Sequence, residues 1–348
     1  MFNTDAIIQE LLRQGKTIED ARCGGASGCV EAGAFGKENY CLTGYFNLPK
    51  VLEITLHNGV DPRTGKKIGI ETGDPRSFES YGELFDAFKA QIRHFIQIKL
   101  KGNDAIEQLY ASRLPAVFPS VLISDCIQKG KDYHAGGARY NTSYIQGVGL
   151  GTITDCLASL KHNVFDQRVC TMGEMLESLD SNFTDSEMFR YQLLNKTPKC
   201  GNDDDYADSL MRDVFEAYFE DIDGRPNTKG GTYRINLLPT TVHVYFGSVI
   251  GALPDGRRAG EPLSEGVSPV ARRRSQRPHG GYEVRREDRP RSNRRNGLEP
   301  KVHPRVFKHR GGDCQVAATC ARLFPNGRAS RSIQRGRRGN AARRSKTS

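Results

Sequence analysis

Apolar residues recur at helical spacing in several parts of the first 270 residues. The clearest pattern starts at Ser80, which forms a capping box with Glu83 and is followed by apolar residues three or four positions apart as far as Ile96. This pattern predicts a helix that ends at about Leu100, before Gly102. Similar spacing predicts further helices over residues 49–58, 154–165 and 206–222.

Two short apolar runs next to proline or glycine predict strands. They span residues 116–123 (AVFPSVLI) and residues 241–246 (TVHVYF). Helices that alternate with short apolar strands favour an α/β barrel or an open α/β sheet over a helical bundle. The pattern therefore predicts the α/β class.

Charge divides the chain into two parts at about residue 270. Residues 271–348 contain 20 Arg and 3 Lys but 5 acidic residues, which gives a net charge of +18. Because the whole chain carries +10, residues 1–270 carry −8. Scattered Gly and Pro, excess Arg and a lack of periodicity are typical of a disordered peptide. We therefore expect an acidic α/β domain over 1–270 and a disordered Arg-rich tail over 271–348.

The nine cysteines are scattered along the chain and form neither a Cys-x-x-Cys pair nor a Cys/His group with zinc spacing. Free thiols without a secretory leader indicate a reducing cytoplasm, and no apolar run has the length of a bilayer crossing. The glycine-rich segment at 147–152 lacks the spacing of a dinucleotide loop. The sequence thus predicts a cytoplasmic protein without a metal, a bound cofactor or a membrane segment.

A thiol and a carboxyl group lie two positions apart in the glycine-rich segment GGASGCVE at 24–31. In an extended or looped backbone, positions i and i+2 project in the same direction, so Cys29 and Glu31 are predicted to face one pocket. The alternative is a structural role for Cys29, because free cysteines are commonly buried and inert.

Four segments of the chain closely resemble glycyl radical enzymes, which form the pyruvate formate-lyase-like superfamily. The segments are the cysteine loop at 24–31, GKENYCLTGYFNLPKVLEITLHNG at 36–59, GGARYNTSYIQGVGLGTITDCLASLKHNVFD at 136–166, and LPTTVHVYFGSVIGALPDGRRAGEPLSEGVSPV at 238–270. With the intervening text they cover essentially all of 1–270. The resemblance implies part of a ten-stranded α/β barrel, built from two half-barrels with the cysteine loop in its centre. Residues 1–270 would form its C-terminal half.

The resemblance also implies a reaction and two catalytic residues. A carbon–hydrogen bond beside nitrogen or oxygen is too weakly acidic for ordinary base catalysis, but a thiyl radical can remove that hydrogen atom. The resulting carbon radical weakens the neighbouring carbon–oxygen bond, and a carboxyl group handles the proton of the departing hydroxyl. By resemblance, Cys29 is the thiyl residue and Glu31 is the acid or base of a dehydratase.

Within the family, three segments are similar to the subgroup that converts trans-4-hydroxy-L-proline to 1-pyrroline-5-carboxylate; they span residues 31–38, 42–45 and 201–208. The same resemblance implies that Tyr45, Thr240 and Val242 bind the substrate. A place in the barrel core is the alternative for each of them.

Other members of the family remain as alternatives. The pyruvate formate-lyase branch has two adjacent cysteines in its active loop, whereas Gly28 and Val30 flank Cys29 here. Acyl transfer to a second thiol is therefore unsupported. A diol dehydratase or a formate acetyltransferase-like enzyme is the alternative within the family.

The resemblance implies partners as well: a radical SAM activating enzyme, a second copy in a homodimer, and a protein-based glycyl radical in place of a bound cofactor. The family stores that radical in a motif resembling Arg-Val-x-Gly-Tyr, which does not occur in this sequence. The first half of the family's length is also absent, so we expect a C-terminal fragment that is inactive alone.

A reading-frame slip near residue 271 is our hypothesis for the tail. With suitable codons, a shift of one nucleotide turns residues 272–284 and 334–343 into text that resembles the family. The alternative from another functional class is a non-catalytic fragment whose basic tail binds nucleic acid without sequence preference.

Overall fold

The computed structural model describes residues 4–27, 31–202, 204–238 and 240–266, together with the backbone of residues 308–309 and 312–313. The predicted domain boundary at residue 270 and almost all of the tail at 271–348 lie outside the described residues. Cys29 also lies outside them.

Two short helices and a β-hairpin begin the described chain. They are α1 (Thr4–Arg13), α2 (Ile18–Arg22), β1 (Gly24–Ala26) and β2 (Ala32–Ala34), with β1 and β2 antiparallel. A small core of buried apolar side chains holds the helices against the hairpin: Ile7, Leu11, Ala21 and Ala32.

A parallel sheet of three strands forms the centre of the fold. The strands are β3 (Glu38–Asn47), β6 (Tyr140–Val148) and β7 (Thr232–Asn236), in the order β3-β6-β7. Parallel neighbours need long crossovers, which are usually helical. The α/β prediction is therefore confirmed, and within the described residues the sheet is open rather than a closed barrel.

Helices supply both crossovers. The first contains α3 (Leu48–Leu56), the antiparallel pair β4 (Val60–Asp61) and β5 (Lys66–Lys67), a 3-10 turn at Pro75–Ser77, α4 (Tyr81–Arg113), α5 (Val117–Leu122) and α6 (Ser124–Lys129). The second contains α7 (Leu150–Leu160), a π-helical turn at Lys161–Asp166, α8 (Met172–Asp180), α9 (Glu187–Asn195) and α10 (Asp205–Ile222). After β7 come α11 (Val242–Ser248) and the antiparallel pair β8 (Lys308–His309) and β9 (Gly312–Asp313).

The four predicted helices are present, with different bounds. Helix α4 begins as predicted, since the Glu83 backbone N–H donates to Ser80 Oγ at 3.3 Å. It continues past Gly102 to Arg113 because this glycine is exposed, and a glycine in an exposed helix costs only about 1 kcal/mol relative to alanine. The predicted helix over residues 154–165 starts earlier, at Leu150, and its last turn is π-helical.

Both predicted strands are wrong. Residues 116–123 contain helix α5, and residues 241–246 lie almost entirely in helix α11. Short apolar runs of this length do not distinguish a strand from a helix by periodicity. Pro119 falls in the first turn of α5, where the missing N–H has no intrahelical role. Val242 is accordingly the first residue of a helix and not a position on a strand.

The two faces of the parallel sheet contact different parts of the protein, because side chains alternate along each strand. The inner face contacts the β1–β2 hairpin and carries Glu38, Leu42, Thr142, Tyr144, Gln146, Arg234 and Asn236. The outer face contacts the helices and carries Cys41, Ser143, Ile145, Tyr233 and Ile235.

Most of the hydrophobic core lies between the outer face and helices α3, α4, α7 and α10. Fully or almost fully buried members from these helices are Leu52, Phe88, Leu157 and Phe215. The layer also encloses a buried ion pair, in which Lys229 Nζ lies 3.0 Å from Glu107 Oε1. The same carboxylate accepts hydrogen bonds from the hydroxyls of Ser143 and Thr228.

A bulge interrupts β3 just before its end. Leu42 pairs with Tyr144, but the next registered pair is Tyr45 with Gln146, so β3 contains one extra residue. Gly44 has φ of 118°, which side chains with a Cβ rarely adopt. Because of the extra residue, Tyr45 shares the inner face with Gln146.

Within the described part of the chain, no helix combines the length and the apolar character that a bilayer crossing requires.

Candidate active site

The candidate site begins at the tip of the β1–β2 hairpin. The strands pair from Gly24 with Ala34 to Ala26 with Ala32, and the Ser27 backbone N–H then donates to the Glu31 carbonyl at 2.8 Å. This hydrogen bond closes a tip whose three central residues, 28–30, lie outside the described residues.

Glycine lets the hairpin lie directly on β3. A Cβ at Gly33 would stand 2.5 Å from ring atoms of Tyr40, a distance that real Cβ atoms do not reach. A side chain at this position would therefore lift the hairpin away from the sheet. Within the glycine-rich segment at 24–31, a Cβ at Gly24 would stand 2.7 Å from the Gly33 carbonyl oxygen, so this glycine also has a packing cause.

Polar contacts hold β2 on the inner face. The hydroxyl of Tyr144 donates to the Ala32 carbonyl at 3.0 Å, and the Ala34 N–H donates to Glu38 Oε2 at 2.8 Å. These bonds satisfy backbone groups that would otherwise be buried without partners.

A buried ion pair supports this attachment. Lys16 Nζ lies 3.0 Å from Glu38 Oε1, and the hydroxyl of Thr142 donates to the same oxygen at 2.6 Å. Burial lowers the pKa of the Lys16 ammonium, while the charge of Glu38 opposes that shift. The base of the hairpin is therefore fixed by a charged pair within the protein.

Glu31 is the one predicted catalytic residue whose side chain the structure describes. It is 4% exposed, and its two oxygens have different partners. The hydroxyl of Ser27 donates to Oε2, and Asn236 Nδ2 donates to Oε1 at 3.1 Å. Because Asn236 is the last residue of β7, the Glu31 carboxyl lies at the carboxyl end of a parallel strand, where α/β proteins commonly place their sites.

The charge of this carboxyl contributes to the pKa of side chains on the sheet. The pKa of the Tyr40 phenol is raised by burial and by the nearby carboxyl groups of Glu38 and Glu31. Glu31 therefore lies close enough to β3 to influence its side chains. The described residues contain no group of three His, Cys, Asp or Glu side chains that could hold a metal ion.

The three predicted substrate-binding residues have different positions. Tyr45 is 41% exposed and occupies one row of the inner face with Gln146 and Asn236, the partner of Glu31. Thr240 and Val242 are half-buried where the chain leaves β7 and enters α11. The strand register thus places Tyr45 on the side of Glu31, and the roles of all three residues in substrate binding stay predictions.

Several inner-face residues were missed by the sequence reasoning. Asn236 is the last residue of β7 (TYRIN), and a polar residue at the carboxyl end of a parallel strand is a recognisable signal. Gln146 is fully buried and donates through Nε2 to the Leu238 carbonyl at 2.8 Å. Its Oε1 has no hydrogen-bond partner among the described residues.

The described fold defines the class of protein: a parallel α/β sheet with a carboxyl-bearing hairpin on one face. The chain belongs to the pyruvate formate lyase-like family, whose family model matches residues 1–247. The resemblance seen in the sequence is therefore confirmed.

Comparison with individual proteins of the family gives one sequence relative and one crystal structure that are similar to this chain. The chain is 58% identical over 268 residues to trans-4-hydroxy-L-proline dehydratase of Clostridioides difficile, a match that covers 77% of this chain and 34% of the relative. The crystal structure of the hydroxyproline dehydratase from that organism, with trans-4-hydroxy-L-proline bound, gives a TM-score of 0.75 over the same shares of the two chains.

Two further structures extend the similarity across the family. The glycerol-bound glycerol dehydratase of Clostridium butyricum is 38% identical, with a TM-score of 0.73. A glycyl radical enzyme from Archaeoglobus fulgidus is 32% identical, with a TM-score of 0.71. Each match covers 77% of this chain and 34% of the other, so the chain spans about a third of the length of these relatives.

Proposed function

We propose that this chain carries the cysteine loop of a glycyl radical dehydratase that converts trans-4-hydroxy-L-proline to 1-pyrroline-5-carboxylate and water. The observation that supports this most directly is the buried Glu31 carboxyl, held at the end of β7 and two positions after Cys29. The 58% identity to a relative that bears the name of this activity supports the choice of substrate.

In the proposed reaction Cys29 transfers hydrogen atoms and Glu31 transfers a proton. A glycyl radical supplies the site with the ability to remove the hydrogen atom of the Cys29 thiol. The thiyl sulfur then takes a hydrogen atom from the carbon beside the ring nitrogen. Glu31 gives a proton to the departing hydroxyl as the carbon–oxygen bond breaks and regains one from the ring nitrogen as the carbon–nitrogen double bond forms, and the thiol returns its hydrogen atom to the product radical.

The pocket assignment belongs to the same proposal. Tyr45 would contact the substrate from the inner face, because it shares a register row with Asn236. Thr240 and Val242 lie in the segment after β7 and would line the opposite side of the substrate pocket. The three-stranded sheet would be part of the ten-stranded barrel, and residues 1–270 would form one of its halves.

The partners follow from the proposed chemistry. A radical SAM activating enzyme would create the glycyl radical, and the complete enzyme would be a homodimer. Because this chain spans about a third of its relatives, we expect no dehydration by this chain alone. Anaerobic incubation with an activating enzyme and trans-4-hydroxy-L-proline tests that expectation, and product formed by this chain without further polypeptide would contradict it.

A chimera gives the positive test. Residues 1–266 would replace the matching third of the Clostridioides difficile relative, and 1-pyrroline-5-carboxylate would be measured after anaerobic activation. We expect turnover in the chimera and its loss, by at least about a hundredfold, in Cys29→Ser and Glu31→Gln, because hydrogen-atom transfer and proton transfer each lose their only proposed group.

Controls separate chemistry from folding. Both variants should keep the circular dichroism spectrum of the chimera. Retained turnover in either one would exclude the role assigned to that residue. Glycerol serves as the alternative substrate, and a chimera that dehydrates glycerol faster than trans-4-hydroxy-L-proline would favour a diol dehydratase.

A further inference from the structure

The two oxygens of the Glu31 carboxyl lie in chemically different surroundings. Oε1 receives a hydrogen bond from Asn236 Nδ2 at 3.1 Å, and Oε2 receives one from the hydroxyl of Ser27. Glu31 and Asn236 are both at most 5% exposed, so bulk water does not substitute for these partners.

The partners differ in what they can do. The NH2 group of an asparagine only donates hydrogen bonds, whereas a serine hydroxyl both donates and accepts. Oε1 therefore has to remain an acceptor to keep its bond to Asn236. Oε2 keeps its bond to Ser27 whether the carboxyl is ionised or protonated, since the hydroxyl can rotate.

We propose that Glu31 carries its catalytic proton on Oε2, that the Ser27 hydroxyl reverses between donor and acceptor, and that Asn236 holds Oε1 as a permanent acceptor. This rests on the proposed function. When the substrate hydroxyl departs, the Oε2–H bond breaks, the proton joins the departing oxygen and the carbon–oxygen bond breaks. Water leaves, and Ser27 turns to donate to the new carboxylate oxygen. Ser27 and Asn236 are thus positioning residues.

Charged groups elsewhere on the inner face have partners of their own. Glu38, on β3, pairs with Lys16, and Arg234, on β7, pairs with Asp223 at 2.6 Å. Two further titratable groups on β3, the Tyr40 phenol and the Cys41 thiol, have a pKa that is raised first by burial and also by the charge of the Glu31 carboxyl. The described hydrogen-bond partners of Glu31 are therefore neutral groups, which permits a change of protonation without breaking an ion pair.

A titration tests the proposal without turnover. In the full chain labelled with 13C at glutamate carboxyl carbons, the Glu31 resonance is assigned by its loss in Glu31→Gln. Asn236→Leu removes a donor to the charged form and should raise the pKa of Glu31 by about one unit or more. The isosteric Asn236→Asp should raise it too, and keeps the side-chain volume.

Ser27 variants give the matched comparison. Ser27→Ala should shift the pKa of Glu31 less than Asn236→Leu does, because the Ser27 hydroxyl can also accept a hydrogen bond from the protonated carboxyl, whereas the Asn236 NH2 group only donates and bonds more strongly to the charged form. Ser27→Thr retains the hydroxyl and should restore the wild-type titration. An unchanged titration in both Asn236 variants, or a larger shift in Ser27→Ala, would overturn the proposal.

A second measurement uses the chimera. Ser27→Ala should lower kcat and change the solvent deuterium isotope effect on kcat, and Ser27→Thr should recover both. An inactive wild-type chimera would refute the proposed function but leave the titration valid. A normal kcat and isotope effect in Ser27→Ala would refute the reversal of the Ser27 hydroxyl alone.

Discussion

Two buried carboxyl groups on opposite faces of the sheet show how partners decide what a carboxyl can do. On the outer face, Glu107 is 7% exposed and contacts the Lys229 ammonium and two hydroxyls. On the inner face, Glu31 is equally well buried, but its described partners are a hydroxyl and an amide.

The difference lies in the charge of the partners. Burial alone would raise the pKa of the Glu107 carboxyl, but the charge of Lys229 and the hydrogen bonds outweigh burial and hold that pKa below its usual range. Glu107 is therefore fixed in its ionised form and joins α4 to the sheet. The described hydrogen-bond partners of Glu31 are neutral, so no ion pair among them fixes this carboxyl in one form.

Removal of the Glu107 charge should have the largest effect on stability. Glu107→Gln leaves the Lys229 ammonium buried without a counter-charge, which costs about 3–5 kcal/mol. Glu31→Gln removes no ion pair and should cost less than about 1 kcal/mol. Urea unfolding of both variants measures the two free energies of unfolding.

The double variant Glu107→Gln with Lys229→Met is the control for this pair. It removes the unpaired Lys229 charge and should recover part of the lost stability, since a buried charge without its partner accounts for most of the loss in the free energy of unfolding. Equal losses in Glu107→Gln and Glu31→Gln would show that the two faces do not differ as described.

The bulge in β3 should give a smaller effect. Gly44→Ala places a Cβ at a residue with φ of 118° and 2.7 Å from Lys99 Nζ, a flexible group that can move. The backbone conformation remains strained, so we expect a loss of about 1–3 kcal/mol in the free energy of unfolding.

Gly102→Ala is the matched glycine control. This residue lies in the middle of α4 on its exposed surface, and a Cβ there would meet no atom within 4 Å. The substitution should raise stability by up to about 1 kcal/mol, because alanine favours the helix. A loss in Gly102→Ala as large as in Gly44→Ala would exclude bulge strain as the cause.

The pH dependence of stability should show the smallest difference between the two faces. The pKa of Glu107 is lowered on folding from the ordinary 4.5, so its contribution is complete above pH 4.5 and is lost as the pH falls through the folded-state pKa. Unfolding followed against pH should therefore show a weaker acid dependence in Glu107→Gln than in the wild type. Parallel curves for the two proteins would contradict this assignment.

Parts of this arrangement were predictable from sequence. The capping pattern at Ser80 located the start of α4, because local spacing carries that information, and Glu31 was singled out from its place beside Cys29 in the glycine-rich segment, although no hairpin was predicted there. The strands predicted at 116–123 and 241–246 failed because short apolar runs take their conformation from tertiary packing. Asn236 was missed because 205 positions separate it from Glu31, and only the parallel pairing of β7 brings the two together.

The extra residue in β3 also sets what the end of that strand can tolerate. Phe46 follows Tyr45 and packs on the outer side, with its ring centroid 5.5 Å from that of Tyr218 in α10. Loss of one residue between Leu42 and Tyr45 would leave Tyr45 opposite Gln146, whereas a regular pairing of all residues would exchange the two rings, sending a phenol into the apolar helix layer and a phenyl ring toward the hairpin. This stretch should therefore accept the loss of its extra residue more readily than a regular pairing of all its residues, because only the loss keeps Tyr45 on the inner face.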